Sequence, residues 1–160
     1  MAKSKEEKTN VMRTLEQKKL PYTAHTYDPA GTIDGVSVAQ TLGQLPERVF
    51  KTLVTKGASG AYYVFDIPVA ENLDLKKAAK AVGEKSVAML PQKELLPLTG
   101  YVHGGCSPVG MKKQFPTVFH ETVLLYDTVC VSAGRIGFQV ECRPGDLVAL
   151  LRAKTADIIV

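Results

Sequence analysis

The sequence predicts a mixed α+β fold: a curled, largely antiparallel mixed sheet approaching a barrel, with peripheral helices. Three observations carry this. Two pairs of short strand-like runs, 49–55 with 61–67 and 128–132 with 138–142, are each joined by a glycine-containing turn. Short helical segments interrupt the strands without the regular βαβ alternation of a doubly wound sheet. Residues 1–160 show no internal repeat, low-complexity tract or linker, so they read as one domain.

The elements follow in order. Lys5 to Lys19 reads as a helix, with Val11 and Leu15 four apart, Met12 beside them and charged or polar residues elsewhere; Pro21 ends it. Tyr22 to Tyr27 is a strand that puts Thr23, His25 and Tyr27 on one face. Asp28-Pro29-Ala30-Gly31 is a turn, and Ser37 to Leu42 a short helix stopped by Gly43. Val49 to Thr55 carries apolar residues on both faces, as a strand covered on both sides does. Asn72 or Asp74 caps a helix over Leu75 to Val82, closed by Gly83. Ser86 to Leu90 is a strand, and Pro91 opens a helical stretch that finishes before Pro97. Thr117 to Phe119 is a strand and Glu121 to Leu125 a helical turn. Asp146 caps Leu147 to Leu151, and Ala156 to Val160 is the final strand.

Composition narrows the function. Hydrophobic residues at 45% and charged residues at 22% are ordinary for a soluble globular chain. A net charge of +4, from 20 basic and 16 acidic residues, suits weak attraction to a polyanion but not a dedicated nucleic-acid binder. The N-terminus lacks the apolar core of a signal peptide and no apolar run approaches membrane-spanning length. Three cysteines without CxxC spacing fit a reduced, cytoplasmic setting. His103 and Cys106 have half of a zinc-site spacing, but no second ligand pair follows, so no metal is expected.

The stretch Gly100 to Gly110 is the densest in glycine, and Pro108 should shape it. Read alone, it is either a tight turn between core elements or a cradle of main-chain N–H groups for a carbonyl, oxyanion or phosphate. It is not a phosphate-binding P-loop, because Met111 stands where the lysine belongs and Lys113 where the Ser/Thr belongs. It is not a nucleophile elbow either, because Val109 replaces the second glycine and Pro108 lacks the N–H that the oxyanion hole needs.

Lys51 interrupts an otherwise apolar strand. Its stem can snorkel to the surface, or its ammonium can be held beside a pocket to steady a carbonyl, ribose hydroxyl or phosphate. Cys106 beside His103 is a further candidate pair, as thiol nucleophile and base, although two residues three apart on one turn seldom face each other with the required geometry. His25 and His120 read as surface or packing histidines. Lys112-Lys113 is either a solvated pair or a contact to nucleic-acid phosphates.

The combination of Phe50-Lys51-Thr52-Leu53 in a strand with Gly104-Gly105-Cys106-Ser107-Pro108-Val109-Gly110 downstream resembles the YbaK family. These are stand-alone relatives of the editing domain of bacterial prolyl-tRNA synthetase. The resemblance covers nearly the whole chain, including His25-Thr26-Tyr27, the lysine-bearing Leu73 to Ala81 segment, and the small-residue turn from Val131 to Gly134. It implies deacylation of a mischarged tRNA in trans, characteristically removal of cysteine from tRNA(Pro), with no cofactor, metal or protein nucleophile. Carried over by position, Lys51 and Gly104 are catalytic. Tyr27, Phe50, Thr52, Gly105, Ser107, Pro108, Ser132 and Arg135 bind substrate, with Tyr27 and Phe50 flanking the aminoacyl group or terminal adenosine. Cys106 occupies a variable position.

The expected mechanism follows from those roles. Amides near Gly104 and Gly105 polarise the ester carbonyl, Lys51 positions the acceptor end, and the substrate's own thiol attacks. The alternatives are a deacylase for alanyl-tRNA(Pro) or another misacylated tRNA that activates water, and a non-catalytic adaptor for tRNA or synthetase. The expected partners are the acceptor end of a mischarged tRNA and prolyl-tRNA synthetase, with neither DNA nor membrane.

Overall fold

A computed structural model describes residues 7–31 and 34–160. The start of the expected first helix, Lys5 and Glu6, lies outside those residues. Helix α1 (Asn10–Gln17) is capped by Thr9, whose hydroxyl accepts from the Met12 N–H, and it buries Val11, Met12 and Leu15 as their spacing predicts. Helix α2 (Gly35–Thr41) begins earlier than expected, because Asp34 caps it by accepting from the Ser37 N–H.

The fold is mixed α+β as expected, but its strands divide into two sheets and no barrel closes. Strands β1 (Tyr22–Thr26), β6 (Val129–Ser132) and β7 (Phe138–Cys142) form an antiparallel sheet in the order β1-β7-β6. Strands β2 (Phe50–Gly57), β3 (Tyr62–Pro68), β4 (Val87–Met89), β5 (Thr117–His120) and β8 (Lys154–Ala156) form a mixed sheet in the order β4-β2-β3-β5-β8. β2 and β3 are the expected hairpin, with Lys51 opposite Ile67 and Thr52 opposite Asp66; β5 joins β3, and β8 joins β5, in parallel. A bridge between Val49 and Cys130 stitches one sheet to the other. Phe50 of the larger sheet packs with Phe119 and with Val129, Val131 and Val140 of the smaller one, so the two share a core.

Three boundaries correct the expectations. Helix α4 (Gln92–Thr99) runs through Pro97 instead of ending before it. Its last turn survives the missing donor because the Thr99 hydroxyl bonds Leu95 O at 2.7 Å and the Gly100 N–H bonds Leu96 O at 2.8 Å. Helix α5 (Pro144–Leu151) starts at Pro144 behind Arg143, and Asp146 lies inside its first turn. The last strand lies earlier than expected, at Lys154–Ala156; Asp157 then turns out to pair with Lys77 at 2.9 Å, and Ile159 forms an isolated bridge to Leu73. Helix α3 (Leu75–Val82) matches its expected span, with Asp74 as the cap and Gly83 as the left-handed stop. Among the described residues no helix is long and apolar enough to cross a membrane.

Candidate active site

A cavity of about 330 Å³ lies where the two sheets meet. Strand β2 forms one wall. In an antiparallel pair alternate residues bond to the partner strand, and the Val69 N–H bonding Val49 O sets the phase. The main-chain groups of Phe50 and Thr52 therefore point away from β3. On that side β4 covers β2 only from Thr55 to Gly57, which leaves the Phe50–Thr52 edge facing the cavity.

Lys51, Gly104 and Ser132, far apart in sequence, all line this cavity, as do Tyr27, Phe50 and Thr52. Lys51 is half-buried, and among the described residues it has no hydrogen-bonded or ion-paired partner. Desolvation holds its ammonium below the usual lysine range, with the Glu71 carboxylate opposing. Thr52 Oγ1 and Asp66 Oδ1 share a hydrogen bond of 2.6 Å. The Ser132 hydroxyl accepts from the Gly134 N–H at 3.1 Å, which fixes it at the cavity wall. The Phe50 ring is only 2% exposed and stacks in the core on Phe119, so it supports the cavity from behind.

The glycine stretch leads in from Tyr101 and Val102, which belong to no strand, and a turn begins at His103. Gly104 takes a φ of 90°, which side-chain-bearing residues rarely adopt. At Gly105 the reason is proximity: a Cβ would lie 3.0 Å from the Ile136 nitrogen, so this loop touches the backbone of the β6–β7 turn. The Gly105 N–H already bonds Val102 O at 3.0 Å. Gly104 and Cys106, which line the cavity, have N–H groups with no partner among the described residues. The available amides are thus those of Gly104 and Cys106, not the expected Gly104 and Gly105.

The remaining candidates sit outside the cavity lining. Ser107 is fully buried and its hydroxyl accepts from the Val109 N–H at 3.2 Å, which shapes the loop. Pro108 is buried beside it. Arg135 is exposed, lies 4.6 Å over the Phe138 ring, and reaches Glu7 at 3.4 Å. Tyr101 anchors the loop from beneath through its hydroxyl, which donates to Val109 O at 2.5 Å. Burial pushes the Cys106 thiol up to about 12, with Asp66 adding to the effect, so the thiolate needed for attack is disfavoured.

Sequence reasoning missed the opposite wall. Asp34, Gly35, Val36 and Val38 of the α2 region line the cavity, with Val69, Leu95 and Gln139. Gln139 is 4% exposed and exchanges hydrogen bonds with Gln44. The short helix itself was legible in the sequence, but which element it covers was not. Also missed was a cluster spread over three strands: His25, Cys130 and Glu141 offer ligand atoms within 4.8 Å of one another. The Glu141 carboxylate is already engaged there, by His25 Nε2 at 2.8 Å and by Thr128, with Arg48 3.6 Å away. A metal ion would have to displace these partners.

The chain belongs to the aminoacyl-tRNA editing domain family, whose model it matches over residues 29–150. It is 46% identical, over 99% of its length and 98% of the relative's, to a protein of Enterococcus faecalis named as a Cys-tRNA(Pro)/Cys-tRNA(Cys) deacylase, EbsC. It is also similar to a crystal structure described as a trans-editing enzyme for prolyl-tRNA synthetase, with a TM-score of 0.81, 30% identity and 94% of each chain covered. The crystal structure of the hypothetical protein APE2540 aligns with a TM-score of 0.86 at 25% identity, covering 94% of this chain and 99% of that one. The expected YbaK-type assignment is borne out.

Proposed function

We propose that this protein removes cysteine from mischarged tRNA(Pro), acting in trans on the acceptor end. The observation that carries the reading is the convergence of Lys51, Gly104 and Ser132 on one cavity at the seam between the sheets. The name of the Enterococcus faecalis relative supports the choice of cysteine.

The Gly104 and Cys106 amides polarise the ester carbonyl, where negative charge gathers in the transition state. Lys51 steadies the acceptor end through a phosphate or ribose oxygen. The substrate's thiol sulfur then bonds to its own carbonyl carbon and the bond to the ribose oxygen breaks. The thiol proton ends on that oxygen, and the cyclic thioester released is hydrolysed by water. An attack held in place this way gains about 7–11 kcal/mol from proximity, so positioning is the protein's main contribution. Prolyl-tRNA synthetase is the partner that would supply tRNA identity.

The test is a panel of misacylated tRNAs assayed with purified wild type and Lys51→Ala. Wild type alone should turn over cysteinyl-tRNA(Pro). The variant should lose at least about 100-fold in rate, roughly 2.7 kcal/mol, with its circular dichroism unchanged. Full activity in Lys51→Ala refutes the assignment of this cavity. Equal rates on alanyl- and cysteinyl-tRNA(Pro) transfer the nucleophile's role to water, because alanine has no thiol.

A further inference from the structure

Asp66 lies on β3 directly opposite Thr52, with no solvent exposure. Its Oδ1 shares the 2.6 Å hydrogen bond with Thr52 Oγ1, while its Oδ2 is buried without a partner. Among the described residues no cationic group pairs with it. Alongside on β5 is Phe119, and from the glycine stretch comes Cys106, the titratable group that bears on it. Lys51, with Glu71 as its electrostatic neighbour, alternates to the other face of β2.

An ionised carboxylate here would bury a full charge on one hydrogen bond, which is expensive; a neutral acid avoids that. The position of its proton then follows from the partners. An O–H on Oδ2 would have no acceptor, whereas an O–H on Oδ1 points along the 2.6 Å line to Thr52 Oγ1. In that arrangement Asp66 donates and Thr52 accepts, so the threonine's single O–H is free for the cavity that Thr52 lines. Once Asp66 is ionised it can only accept, and the bond reverses.

We infer that Asp66 is a positioning residue that sets the polarity of Thr52: protonated, it frees the Thr52 O–H for an oxygen acceptor on the bound aminoacyl ester, and ionised, it takes that O–H back. The inference rests on the reading of this cavity as the deacylation site. Burial pushes the Asp66 carboxyl up to about 8, with the Thr52 hydrogen bond opposing, so the reversal falls within an assayable range.

Asp66→Asn provides the test, because an amide N–H donates to Thr52 at every pH. Single-turnover deacylation of cysteinyl-tRNA(Pro) is measured for wild type and variant across about pH 6 to 10, with the enzyme-free rate subtracted. Taking the variant-to-wild-type ratio cancels ionisation of the substrate thiol and of Lys51. The ratio should stay within about threefold at neutral pH and climb towards about tenfold per unit above the Asp66 titration. In a Thr52→Val background the same ratio should be flat. A terminal 2′-deoxyadenosine distinguishes the acceptor: the climb persists if Thr52 meets the ester carbonyl and vanishes if it meets the 2′-oxygen.

A ratio independent of pH with the native Thr52 in place, with Lys51→Ala inactive, overturns the role of Asp66 and leaves the site standing. An active Lys51→Ala overturns the site itself. Should Asp66→Asn fail to fold, Thr52→Val answers alone: its deficit against wild type should shrink as pH rises, and a constant deficit refutes the inference.

Discussion

The same carboxyl makes a prediction about stability that needs no substrate. Asp66 is fully buried and its pKa is raised from 3.8 to about 8. Between those values the folded chain holds a proton that the unfolded chain has released, so stability falls as pH rises through that window and levels off above about 8. At about 1.4 kcal/mol per unit the whole window is worth about 5–6 kcal/mol, of which about 4 kcal/mol falls between pH 5 and pH 9. Asp66→Asn removes the titration and keeps the shape. Urea denaturation at about pH 5 should find the two proteins within about 1 kcal/mol of each other, and at about pH 9 the variant should be the more stable by the amount above. Parallel pH profiles for the two would show that Asp66 does not hold its proton, and the argument would collapse.

Two further substitutions probe the glycine stretch. Cys106→Ala should keep the deacylation rate within about threefold of wild type, since a thiol held near 12 is a poor nucleophile; a loss beyond about 100-fold would make the thiol a reactant. Gly105→Ala sets a methyl 3.0 Å from the Ile136 nitrogen, a backbone atom that cannot swing aside. It should cost about 1–3 kcal/mol in denaturant unfolding and lower the deacylation rate with it, and an unchanged midpoint would mean that the two loops separate freely.

Much of the fold was legible because local chemistry decides it. The apolar runs and glycine-containing turn of Val49 to Ile67, the Asp74 cap and the Gly83 stop each act over a few residues, and each element formed where expected. Pro97 misled because the penalty of one missing donor was offset by Thr99 and Gly100, which lie beyond it. The division into two sheets was not legible, since which strands pair depends on partners more than a hundred residues distant, such as Tyr22 with Cys142. The site shows the same split. Lys51 and Gly104 stand out locally, as a charge in an apolar strand and a glycine in a special turn. Asp34, Val36 and Gln139 carry no such mark and reach the cavity only through tertiary packing. Asp66 reads from sequence as an unremarkable strand residue; only its register opposite Thr52 and its lack of exposure single it out.

The stitch between Val49 and Cys130 sets how the molecule can vary its aperture. With that isolated bridge the one backbone ladder contact between the two sheets among the described residues, a small shift of one sheet past the other would widen or narrow the cleft without unzipping either hairpin. Residues that tune which aminoacyl group fits therefore need not touch it. A change in bulk at Ala39, packed against that stitch but outside the cavity lining, would alter selectivity by acting as a shim.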